Sequence, residues 1–158
     1  MKLTTLTVAA VLAAGSAFAD TVAPADVAYT EDGAVEVSLS GVAGNAEEGK
    51  AIMTSKKRGN CVACHASEAY ADVSFQGTVG PSLDGVADRW NQAELRGILS
   101  NSKLTYEGTI MPAYYKVDGF IRPGNAYTGK AADGPLEPLL AAQDIEDVIA
   151  FLMTLKEE

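Results

Sequence analysis

Apolar residues recur at helical spacing most clearly near the C-terminus, where Ile145, Val148, Ile149, Leu152 and Met153 fall at i, i+3, i+4, i+7 and i+8. That stripe predicts an amphipathic helix with Asp144, Glu146, Asp147 and Lys156 turned to water. The same spacing returns in Leu95, Ile98 and Leu99, after Asn91-Gln92-Ala93-Glu94, an Asx form of the capping box. This second helix should lay its apolar side on the core or on a bound group. Farther upstream, Asn45-Ala46-Glu47-Glu48 offers an N-cap and an acidic first turn, so a helix is expected to open there and run to about Lys57. The last helix should pack across it. Short helices separated by Gly- and Pro-rich loops give an all-α fold class.

Two stretches break the helical period. Within residues 20–45, Asp32-Gly33 followed by the alternation Val35, Val37, Leu39 predicts a turn and a short strand. Residues 113–138 hold Tyr114, Tyr115, Phe120, Tyr127, Pro123, Pro135, Pro138 and four glycines, the composition of a long structured loop. Both read as decoration, or, for the tyrosine-rich loop, as a surface that shields a cofactor edge or meets a partner.

The chain begins with Met-Lys, an uncharged apolar stretch from Leu3 to Ala14, and Ala17-Phe18-Ala19 before Asp20. These are the three parts of a signal peptide, so residues 1–19 are expected to be cleaved and the mature protein exported to the periplasm. As a membrane anchor the stretch falls short of the roughly 20 apolar residues a span needs. The full chain of 158 residues carries a formal charge of −9; cleavage removes only Lys2 among the charges and leaves 11 basic against 21 acidic residues, or −10. Such a surface argues against nucleic acid and anionic membrane and favours a basic partner or plain solubility.

Export to an oxidising compartment makes a disulfide one reading of the chain's two cysteines. They stand, however, in Cys61-Val62-Ala63-Cys64-His65, and His65 is the only histidine. Cys-x-x-Cys-His is the attachment signature of c-type haem, in which two thiols become thioethers and the adjacent imidazole lies under the iron. A structural zinc would need about four N/S ligands, and a thioredoxin-like dithiol a βαβ setting; neither pattern surrounds the motif. With the only imidazole used, a second axial ligand must come from methionine or the position must stay open. Met53 lies in the helix that leads into the motif, and Met153 in the apolar stripe of the last helix. Met111, in the loop Thr109-Ile110-Met111-Pro112, is free to pass over the haem. His/Met ligation closes both axial positions and suits electron transfer; an open position would suit a gas sensor or an enzyme.

The haem motif, Gly80-Pro81-Ser82-Leu83-Asp84-Gly85-Val86, Arg89-Trp90, Met111-Pro112 and the last helix together resemble class I cytochromes c over about residues 45–158. The expected division is therefore a signal peptide at 1–19, an extension at 20–45 and a cytochrome c domain at 46–158. Gly77-Thr78-Val79-Gly80-Pro81-Ser82-Leu83, Arg89-Trp90 and Thr109-Ile110-Met111-Pro112-Ala113-Tyr114-Tyr115 narrow the resemblance to the SoxX family of small monohaem subunits. That resemblance implies one haem c tethered by Cys61 and Cys64, with His65 and Met111 on the iron. It implies that the Pro81 carbonyl accepts a hydrogen bond from the second His65 nitrogen. Arg89 and Trp90 can donate to a haem propionate, or serve plainly as a surface charge and a core ring. The implied partner is a SoxA-type cytochrome subunit, which carries the catalytic haem where thiosulfate is joined to a cysteine of a SoxYZ carrier. This chain would hold no catalytic residue and would pass electrons to a soluble cytochrome c. The alternative is an independent periplasmic electron shuttle.

Overall fold

Asn45 opens the first helix by accepting hydrogen bonds from the Glu47 and Glu48 N–H groups at 2.9 and 3.2 Å. In this computed structural model, which describes residues 20–124 and 128–157, helix α1 then runs Ala46–Thr54. It ends short of Lys57 because Ser55 leaves the helical region (φ −76°, ψ 120°), and the chain turns back toward Cys61. A short α2 spans Val86–Arg89, and α3 spans Gln92–Thr105 behind a complete capping box. In that box the Asn91 side chain accepts from the Glu94 N–H (3.0 Å), and the Glu94 carboxylate accepts from the Asn91 N–H (2.8 Å). Helix α4 spans Ala142–Leu152. The expected leader at 1–19 and Tyr127 lie outside the described residues.

Helix α4 packs across α1 and also touches α3. Ile52 and Met53 of α1 meet a core that holds Ile145, Val148, Ile149 and Leu152 of α4, together with Leu95 and Leu99 of α3. The α1–α4 crossing is close because α1 offers Gly49 there: a Cβ at that position would lie 2.0 Å from the Asp147 carbonyl oxygen.

Two expectations from the periodicity are corrected. Glu146 and Asp147 do not face water; they are 6% and 5% exposed. Glu146 takes a two-pronged bond from Arg96 of α3, Nε to Oε1 at 2.8 Å and Nη2 to Oε2 at 3.0 Å, and also accepts from the Leu39 N–H at 2.7 Å. Asp147 accepts from the Asn45 N–H and from Gln143, both at 2.8 Å. Burial of these carboxylates is tolerated because donors from other elements meet them.

Second, the turn at Asp32-Gly33 forms, with the Gly33 N–H donating to the Thr30 carbonyl at 3.0 Å, but no strand follows. Val35 and Leu39 are buried while Val37 is 67% exposed. The Val35 backbone bonds to α3, its N–H donating to the Ala93 carbonyl (2.9 Å) and its carbonyl accepting from Arg96 (2.8 Å), while the Leu39 carbonyl accepts from the Val22 N–H (2.8 Å). Tyr115 fastens the start of the extension by donating to the Val22 carbonyl at 2.7 Å. Among the described residues, the only β pairing is an isolated bridge, Gly124 with Ala131, inside the long loop.

Candidate haem site

The turn after α1 sets the attachment motif. Asn60 adopts a left-handed conformation (φ 50°), a 3-10 turn spans Cys61–Ala63, and the Cys64 and His65 N–H groups both return to the Cys61 carbonyl, at 3.0 and 2.9 Å. Cys61 and Cys64 are free thiols. Beside them opens a cavity of about 790 Å³ whose wall includes every residue singled out from the sequence: Cys61, Cys64, His65, Pro81, Arg89, Trp90 and Met111. Leu83, Val86, Leu95 and Leu99 make much of the remaining wall apolar. Its size falls within the ordinary range for a cofactor site.

Burial pushes the Cys61 thiol up to about 11. Tyr114 is itself raised by burial and donates to the Gly59 carbonyl at 3.1 Å. A thiolate is disfavoured at this position, whereas a thioether carries no charge and suits it.

His65 places Nδ1 2.8 Å from the Pro81 carbonyl. A carbonyl only accepts, so Nδ1 carries the proton and Nε2 keeps its lone pair for a metal. Two features fix this contact, and sequence reading had assigned neither a role. The first is Gly80, where a Cβ would sit 2.3 Å from His65 Cε1; the ring packs against bare backbone. The second is Asp84, whose carboxylate accepts from the Ser67 hydroxyl (2.6 Å), the Glu68 N–H (3.0 Å) and the Ser82 hydroxyl (2.9 Å). Those bonds, the Ser67 hydroxyl foremost, hold the Asp84 carboxyl below the usual carboxylate range. They tie the segment after His65 to the loop that carries Pro81.

Arg89 lies exposed and spends two donors on that same loop, Nη1 to the Asp84 carbonyl at 2.8 Å and Nη2 to the Ser82 carbonyl at 3.0 Å. Trp90 is half-buried, with its ring edge-on to Tyr106 at 6.1 Å between centroids. Met111 is half-buried in the segment after α3. Met53 also reaches the cavity wall from α1, whereas Met153 packs at the edge of the core, away from it.

Two free thiols, an imidazole with one nitrogen committed, a thioether and apolar walls fit an iron porphyrin. Comparison with known proteins agrees. Residues 46–156 match the family described as Cytochrome c. The chain is similar to one in the crystal structure of SoxXA from P. pantotrophus, at 59% identity over 87% of this chain and 100% of that one, with a TM-score of 0.83. Among curated proteins none matches. With its helices in the class I arrangement and its thiols at one cavity, the chain belongs to the cytochrome c family and is an electron-transfer cytochrome carrying one covalently bound haem c.

Proposed function

We propose that the chain works as the SoxX-type relay of a SoxXA-like complex in the periplasm. A SoxA-type partner carries the haem at which thiosulfate is joined oxidatively to a cysteine of a SoxYZ carrier, and this chain takes up the electrons and hands them to a soluble cytochrome c. One observation carries the reading: a single cavity gathers Cys61, Cys64, His65 and Met111. Likeness to a SoxXA chain over the whole of that chain supports the partner. Among the described residues, no helix is long and apolar enough to cross a membrane.

When bound, haem supplies one-electron redox chemistry. The protein's own residues hold and tune it. Cys61 and Cys64 tether it through uncharged bonds. His65 offers Nε2 to the iron, and the Pro81 carbonyl, by accepting the Nδ1 proton, fixes the ring and raises its basicity. Met111 would hold the iron through its thioether, a ligand that would raise the reduction potential and leave no position for a substrate. The Trp90 indole N–H, and the Arg89 donors left over from the Ser82 and Asp84 carbonyls, would serve the propionates.

Co-expression with a SoxA-type chain tests the assignment. A heterodimer that survives gel filtration, and in which thiosulfate plus SoxYZ reduces the haem of this chain, is the expected result. A clean monomer in the presence of that partner contradicts it and leaves the independent shuttle.

A further inference from the structure

We infer that the break in α3 is the device that seats Met111, with Ser102 as its positioning residue; this rests on Met111 being an axial ligand. Helix α3 keeps helical dihedrals except at Asn101, which is extended (φ −149°, ψ 82°). Ser100-Asn101-Ser102 is a run of side chains that compete with helical backbone bonding, and such breaks have local causes. In an unbroken helix the Leu99 and Ser100 carbonyls would accept from residues four positions on. Here they accept from the Tyr114 and Tyr115 N–H groups, at 3.0 and 3.1 Å. The segment that follows Met111 is thereby docked on the break.

Ser102, the first residue beyond the break, is fully buried, and its hydroxyl lies 2.7 Å from the Met111 carbonyl and 3.3 Å from that of Pro112. The Lys103 ammonium donates to the same Met111 carbonyl. On the other side, the Met111 N–H donates to the Thr109 hydroxyl at 3.2 Å. Both main-chain polar groups of Met111 are thus held while its side chain lines the cavity. Lys103 is exposed, so its bond competes with water; the Ser102 bond is shielded from water and carries most of the restraint. A ligand held in place before it meets the iron loses less freedom on binding and is displaced less readily.

Imidazole binding to the oxidised holoprotein, read from the Soret shift, measures how readily the axial thioether gives way. Ser102→Ala should raise imidazole affinity about fivefold to tenfold, the worth of one shielded hydrogen bond. It should also make the far-red sulfur-to-iron band disappear on heating well below global unfolding, which circular dichroism follows separately. Ser102→Thr, which keeps the hydroxyl, should restore both. Lys103→Ala, at an exposed position, should raise the affinity about twofold, as expected of a weaker, screened bond. Unchanged imidazole affinity in Ser102→Ala overturns the inference, whatever Lys103→Ala does, as does band loss in Ser102→Ala that merely tracks unfolding. Met111→Ala separates the two readings. If that protein keeps the far-red band, the ligand assignment fails; if it loses the band while Ser102→Ala binds imidazole as the unsubstituted protein does, only the positioning role fails.

Discussion

His65 is gripped by backbone: the Pro81 carbonyl on Nδ1 and the bare Gly80 Cα against the ring. Gly80→Ala forces a methyl into the imidazole, so the ring or its loop must shift. The expected outcome is a loss of about 1–3 kcal/mol in urea unfolding, typical of overpacking, together with a changed reduction potential that a remote core substitution of equal cost would not produce. Asp84 adds a pH dependence. Its folded pKa lies below its unfolded one, so its contribution is complete above the ordinary carboxylate range and fades as pH falls through the folded value. The gap in urea midpoint between the unsubstituted protein and Asp84→Asn should therefore narrow steadily from about pH 6 to about pH 3. A constant gap would show that the carboxylate's charge is idle. The chemistry at Cys61, Cys64 and His65 was readable because five consecutive residues carry it. Gly80 and Asp84 show no role in the sequence, since each acts through a residue well upstream that only the fold brings near.

The helices were read from pattern where one face alone decides. The α4 stripe, the α3 capping box and the Asn45 cap all appear where periodicity and capping chemistry put them. What failed depended on a partner element. Glu146 looked like a solvated position because periodicity sees residue type and not Arg96, fifty residues upstream in another helix. Val35, Val37 and Leu39 alternate as a strand would, but among the described residues no strand lies beside them: α3 takes the Val35 hydrogen bonds, and Glu146 of α4 takes that of the Leu39 N–H. Energetics follow the partner. Arg96→Ala, which strands a buried carboxylate, should cost about 3–5 kcal/mol in urea unfolding, whereas Arg96→Met with Glu146→Gln, which removes the stranded charge and keeps an acceptor for the Leu39 N–H, should cost less. Equal losses in the single and double variants would mean that packing, not the ion pair, matters there. At the α1–α4 crossing, Gly49→Ala places a methyl against the Asp147 carbonyl and should cost about 3 kcal/mol, the upper end for overpacking.

Among the described residues, the helices and the loops between them wall the haem cavity, and residues 20–45 are fastened to α4, α3 and Tyr115 through Leu39, Val35 and Val22. The break in α3, the loop after it and the turn after α1 deliver to that cavity groups that lie far apart in the chain. A closed iron between His65 and Met111 is the central proposal, and the far-red absorption of the oxidised holoprotein tests it most directly. A sulfur-to-iron charge-transfer band should be present in the unsubstituted protein, persist in Met53→Ala and Met153→Ala, and vanish in Met111→Ala. Its survival in Met111→Ala, or its loss in Met53→Ala, would contradict the account.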